Sequence, residues 1–131
     1  MFLLDTNTCI HLLRQSHDGV QARFLSHAPA ELAVCSIVLS ELEFGARRSR
    51  RVDHNLRLLK AFSAPLRSLP FDDRCAETYG LLRADLAAQG QLIGPNDLLI
   101  AAIARTHDAT LVTHNVSEFG RVVGLRVDDW E

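Results

Sequence analysis

Lysine is almost missing: Lys60 stands alone among 14 basic residues, the rest being arginine. Cysteine is sparse as well. Cys9, Cys35 and Cys75 lie far apart, and none forms a C-x-x-C pair. An odd, scattered count suits small buried side chains in a reducing compartment, so a cytoplasmic protein is expected. The opening Met1-Phe2-Leu3-Leu4-Asp5 lacks the basic start and long apolar run of a secretory signal. No apolar run approaches the roughly 18 residues of a membrane helix, which argues against a membrane partner. An excess of one charge is absent too: 14 basic against 16 acidic residues leave a net charge of −2. A chain so balanced does not coat nucleic acid by bulk charge, and any such contact must use a local patch or metal ions. Repeats, linkers and low-complexity tracts are also lacking.

What is present is an ordinary globular composition, 47% apolar and 23% charged over 131 residues. That length fits one domain, residues 1–131, with a core large enough to need no disulfides. Phe2-Leu3-Leu4 reads as a strand buried on both faces, as in a parallel sheet. Helices are expected over Thr8 to Arg14 and Asp18 to Ser26. A strand follows at Leu32 to Cys35, and then a helix for which Ser36 is the natural N-cap. Val52, Leu56, Leu59 and Phe62 repeat at helical spacing up to Pro65. Leu66 to Leu69 suits a short strand, and Phe71 to Gln89 a long helix stopped by Gly90. Gly94-Pro95-Asn96-Asp97 opens an apolar helix, with proline in its first turn. Thr110 to Thr113 is a strand, Asn115 to Phe119 a loop or single turn, and Leu125 to Val127 a last, edge-like strand. This alternation predicts an α/β fold with a parallel sheet covered by helices on both faces. Ligands in such sheets bind beyond the carboxyl ends of the strands. Asp5, Thr6 and Asn7, Ser36, and Thr113, His114 and Asn115 all follow strands.

Four carboxylates stand out by position. Asp5 ends an apolar strand, Glu41 lies in a mostly apolar stretch, Asp97 opens the most apolar helix, and Glu118 follows the third clear strand. An acid among apolar neighbours is costly unless it is paired or bound to a cation. Crowded carboxylates raise one another's pKa, and a hard divalent cation removes that repulsion. Such a site suits phosphodiester hydrolysis. Each acid also has a plainer role: Asp97 can serve a helix dipole, Asp5 an Asx turn, and Glu41 and Glu118 a solvated face.

Longer motifs narrow the choice. They are Leu4-Asp5-Thr6-Asn7, Ser40-Glu41-Leu42-Glu43-Phe44-Gly45, Leu69-Pro70-Phe71-Asp72, Tyr79 to Ala84, Ile93 to Ala102, Leu111 to Phe119 and Gly124 to Trp130. In this order and spacing the chain resembles PIN-domain ribonucleases, and among them the VapC-type toxins of bacterial toxin–antitoxin pairs. The resemblance implies a three-layer α/β/α domain with a central parallel sheet and an acidic cluster holding Mg²⁺ or Mn²⁺. By motif position the family acids fall on Asp5, Glu41 and Asp97 as metal ligands. The fourth falls on Asn115, where an acid is common, and Glu118 three residues on is a substitute. Thr6, Asn7 and Thr113 would orient the ligands. The implied activity is endonucleolytic hydrolysis of RNA, with transfer RNA among the candidate targets, leaving 5′-phosphate and 3′-hydroxyl ends.

Arg47, Arg48, Arg50 and Arg51, just after the Glu41 motif, are candidate phosphate contacts. Arg83 is another, unless it pairs with Asp85 or Glu77. His107 and His114 are candidate proton donors. The resemblance further implies a homodimer, a VapB-like antitoxin that blocks the acidic groove, and operator DNA met only through that antitoxin. The apolar stretches Ile10 to Leu13 and Leu39 to Phe62 are candidate surfaces for these partners. A PIN domain with weak catalysis, acting as a binding partner, is the alternative that Asn115 suggests. A haloacid-dehalogenase-type phosphatase fits poorly, because Asn7 stands where its second Asp belongs.

Overall fold

The computed structural model describes residues 1–131. Five strands form one sheet: β1 (Phe2–Leu4), β2 (Leu32–Cys35), β3 (Arg67–Leu69), β4 (Thr110–Val112) and β5 (Arg126–Asp128). Their order is β3-β2-β1-β4-β5, and every pairing is parallel. The helices are α1 (Thr6–Arg14), α2 (Asp18–Leu25), α3 (Ser36–Arg47), α4 (Val52–Ser63), α5 (Asp73–Ala88), α6 (Pro95–Thr106) and α7 (Val116–Phe119). A 3-10 turn at Pro29–Glu31 leads into β2. The architecture is the expected parallel sheet between helical layers, and none of the helices is long and apolar enough to cross a membrane.

The central strand is β1, and Leu3 and Leu4 are wholly buried, as are Leu111 and Val112 of β4 beside it. A strand covered on both faces has no polar alternation, which is why Phe2-Leu3-Leu4 reads as a plain apolar run. From β1 the chain first builds β2 and β3 on one side. It then crosses by α5 and α6 to build β4 and β5 on the other. The order thus reverses between β1 and β4, and a crevice opens there at the carboxyl ends of the strands. Helix α6 lies deep beside it: Ile100, Ala101, Ala102, Ile103 and Ala104 are all buried. Burying Ile100 and Ile103 contributes about 1.5–3 kcal/mol each.

Three helix starts differ from the sequence pattern. Helix α1 begins at Thr6 rather than Thr8, because the Asp5 side chain caps it by accepting from the Thr8 N–H at 2.9 Å. Ser36 is not the N-cap of α3. It is already helical, and Cys35 holds the cap position without a side-chain bond. Helix α5 begins at Asp73 rather than Phe71, because Asp72 caps it, its Oδ1 accepting from the Cys75 N–H at 3.1 Å. Gly90 takes a φ of +65° after α5, the left-handed conformation that glycine adopts without strain.

Candidate active site

Asp5 leaves the end of β1 facing the crevice. Its N–H extends the ladder to the Val112 carbonyl at 3.1 Å, and its residue is only 8% exposed. Capping fixes one carboxylate oxygen, Oδ1, and leaves Oδ2 for other work. Thr8 secures the same corner from below: its hydroxyl donates to the Val112 carbonyl at 3.3 Å. Glu41, on the second turn of α3, is half-buried, and its Oε1 accepts from the Asn96 side chain at 3.1 Å. Asn96 opens α6 directly before Asp97, so one helix start both orients Glu41 and supplies the next acid.

The electrostatics show that these acids converge. Burial pushes Asp97 up to about 6, with Glu118, then Glu41, then Asp5 adding repulsion, and a proton on Asp97 would be shared with Glu118. Glu118 moves the other way. Its Oε1 accepts from the Gly94 N–H at 2.7 Å and its Oε2 from the Asn115 amide, and these bonds hold it below the usual carboxylate range. A β-carbon at Gly94 would lie 3.5 Å from Asp97 Oδ2 and 3.7 Å from Glu118 Oε1. Both carboxylates therefore crowd one turn of backbone. In this arrangement Glu118 stays charged and Asp97 is the easily protonated member.

The structure brings together Asp5, Glu41, Asp97 and Glu118. Asn115 orients Glu118 rather than facing the other acids alone. Thr113 is fully buried, and its hydroxyl accepts from the Asn115 N–H at 3.1 Å, shaping that loop. Thr6 keeps a buried hydroxyl oxygen without a hydrogen-bond partner, and Asn7 is exposed on α1. The donor set is all oxygen, with repulsion unrelieved at Asp97 and a spare hydroxyl beside Asp5. That is the chemistry of a hard divalent cation, and these residues fit one. The sequence marks Asn96, Gly94 and Thr8 only as helix-start residues, not as parts of the site. The only signal was their adjacency to Asp97 and Asp5.

Other candidates lie apart. His107 caps the far end of α6, ten residues or about 15 Å along the helix from Asp97, so it cannot pass protons there. His114 sits on the crevice side but bonds to Asp129 at 3.0 Å. Arg83 pairs with neither Asp85 nor Glu77. It donates to the Tyr79 hydroxyl at 2.9 Å, and Asp85 accepts instead from Gln89. Arg47 is held by Glu43 at 2.8 Å, and Arg48 stacks on Phe44. Arg50 and Arg51 are exposed in the turn between α3 and α4. Beside Glu41, residues of α1, α3 and α4, among them Ile10, Leu13, Arg14, Leu42, Ala46 and Leu58, enclose a groove of about 200 Å³.

Known proteins share this sequence and fold. The family model of the PIN domain matches residues 2–125. The "tRNA(fMet)-specific endonuclease VapC" of Shigella flexneri is 38% identical over 129 residues, 98% of this chain and 97% of that one. "Ribonuclease VapC2" of Rickettsia felis is 36% identical over 132 residues, covering 100% of this chain and 98% of its own. Among solved structures, the Rickettsia felis VapBC2 complex bound to a promoter DNA fragment superposes with a TM-score of 0.92 at 36% identity, over 99% of this chain and 98% of that one. The DNA-bound VapBC of Salmonella typhimurium gives 0.93 at 36%, with the same coverage. With sheet order, acidic crevice and full-length similarity in accord, this chain belongs to the PIN-domain family, among its VapC ribonucleases.

Proposed function

We propose that this protein is a divalent-metal-dependent endoribonuclease, the toxin of a VapBC-type toxin–antitoxin pair. The observation that carries the reading is the gathering of Glu118, Glu41 and Asp5 around Asp97, whose carboxyl is raised to about 6 first by burial and then by their repulsion. Asp5, Glu41 and Asp97 would hold Mg²⁺ or Mn²⁺, with Glu118 in reserve. When bound, the ion supplies Lewis acidity at a phosphate and acidifies water.

The chain's own groups do the rest. The Thr8 N–H fixes Asp5, so its free oxygen meets the crevice in one orientation. The Asn96 amide fixes Glu41 in the same way and leaves its second oxygen to orient an attacking water. Asn115 and the Gly94 N–H hold Glu118 charged, and Asp97 can take up a proton near neutral pH. The exposed Arg50 and Arg51 are placed to meet RNA phosphates.

RNA is the substrate class, and a transfer RNA is the finer reading, supported by the substrate named for the Shigella flexneri relative. The groove beside Glu41 is the docking surface for a VapB-like antitoxin. Its apolar walls and the exposed Leu58 lining it suit an amphipathic segment. Such a segment would also cover Glu41, which couples docking to inhibition. Operator DNA would be met through the antitoxin, since this chain's net charge of −2 gives it no broad basic face. The exposed Leu81 and Leu92 are candidate homodimer contacts, and the cytoplasm is the expected compartment, given three buried free thiols.

The test is a cleavage assay on host RNA. The purified chain, freed of antitoxin, is incubated with Mg²⁺, Mn²⁺ or EDTA beside Asp5→Asn and Asp97→Asn. Discrete fragments that require metal and both acids are expected. Cleavage that survives EDTA or either substitution overturns the proposal.

A further inference from the structure

A group of side chains with the chemistry of metal ligands lies beside the acidic crevice. His114, in the loop after β4, places its Nδ1 3.0 Å from Asp129 Oδ2 and 4.0 Å from Glu131 Oε2. All three ligand atoms lie within 4.8 Å of one another. The segment that carries both acids is firmly seated. Trp130 between them is buried, stacks on His27 and donates its indole N–H to Asp128. Asp129 and Glu131, two residues apart, can therefore face the same way while Trp130 faces the core. The backbone N–H of Glu131 occupies Asp129 Oδ1 and leaves Oδ2 for His114.

Two more histidines lie near the other carboxylate oxygen of Glu131. Nε2 of His11 stands 3.5 Å from Oε1, and Nε2 of His17 stands 4.0 Å from it. Their ring nitrogens have separate duties. His17 Nδ1 accepts from the Val20 N–H, so the proton of the neutral ring sits on Nε2, facing the carboxylate. His11 Nδ1 meets the Ser16 hydroxyl at 2.9 Å. Both rings lie near Glu131 at ion-pair distance, beyond hydrogen-bond length.

We propose that His114, Asp129 and Glu131 form a binding site for a borderline divalent cation of the Zn²⁺ or Co²⁺ class, beside the rings of His11 and His17. One imidazole and two carboxylates, with an open side to solvent, match a three-ligand site that completes its shell with water. The imidazole distinguishes this site from the all-oxygen crevice, which favours Mg²⁺ or Mn²⁺. Binding replaces the proton between His114 and Asp129. The ion then ties the 128–131 segment to the loop that carries Asn115. The site does not depend on the chain being a nuclease.

Co²⁺ serves as the probe, since its visible d–d absorption reports ligation directly. The full chain carrying Asp97→Asn is titrated with Co²⁺ in excess Mg²⁺, which removes the crevice from the competition. One Co²⁺ per chain is expected, with affinity falling at least tenfold in His114→Ala and in Glu131→Gln, and one Co²⁺ retained in His17→Ala. Zn²⁺ should raise the thermal midpoint of the parent and not of the two ligand variants. The His114 side chain is 67% exposed, so its substitution leaves the fold intact. Absence of Co²⁺ bands in the parent, or equal binding by the ligand variants, overturns the assignment.

Discussion

Replacing Asp97 by Asn should stabilise the metal-free protein while removing its activity. The carboxyl moves from its ordinary 3.8 to about 6, chiefly through burial and then through Glu118, Glu41 and Asp5. At 1.36 kcal/mol per tenfold change this corresponds to about 3 kcal/mol against the folded state once Asp97 is ionised. The group is only half-buried, and solvent screening reduces the effect to about 1–2 kcal/mol. Because the folded value lies above the unfolded one, the folded state holds the proton more tightly. The penalty is absent below pH 3.8, grows between pH 4 and 6, and is complete above pH 7. Asparagine keeps the shape without the charge. Thermal unfolding followed by circular dichroism in EDTA should therefore place Asp97→Asn about 4–7 °C above the parent at pH 8, for a domain of this size. The gap should narrow toward pH 4. An Asn variant no more stable than the parent at pH 8, or a gap independent of pH, refutes the claim that the acids converge on Asp97.

Asp5 separates two roles in one side chain: Asp5→Asn keeps the α1 cap and should lose RNA cleavage alone, whereas Asp5→Ala should also lose about 1 kcal/mol in a urea melt. Glu118→Gln keeps an acceptor for the Gly94 N–H but removes a charge from Asp97, so cleavage should fall about 10–100-fold, while an unchanged rate at saturating Mg²⁺ would discard its part in the site. Leu111→Ala empties a fully buried position between β1 and β5 and should cost about 2–5 kcal/mol, read from the denaturant midpoint. Burial raises the Cys9 thiol well above its ordinary value and Cys35 to about 11, so both should resist a thiol reagent at pH 8 until the chain unfolds.

Much of this protein was legible in its sequence because the signals are local. An apolar run without alternation marks a strand buried on both faces, and Phe2 to Leu4, Leu32 to Cys35 and Thr110 to Val112 all became such strands. Proline and glycine ended or opened helices at Pro65, Gly90 and Pro95. Other boundaries moved: the Asp5 cap started α1 two residues early, and Ser36 entered α3 as a helical residue instead of capping it. The acids at strand ends and helix starts were visible as costly placements, since a charge among leucines needs a partner. Where that partner lies is a matter of spatial order. Nothing in the chain states that β4 pairs beside β1, and only that pairing sets Asp5 next to the loop of Asn115 and Glu118. Long-range register likewise decided that Asn96 meets Glu41, that His107 faces the far end of α6, and that three histidines from separate segments gather on Glu131. Sequence fixes local conformation through short-range sterics and solvation. The sheet order brings residues about a hundred positions apart within a few ångströms, and that proximity sets the charge, protonation and chemistry of the site.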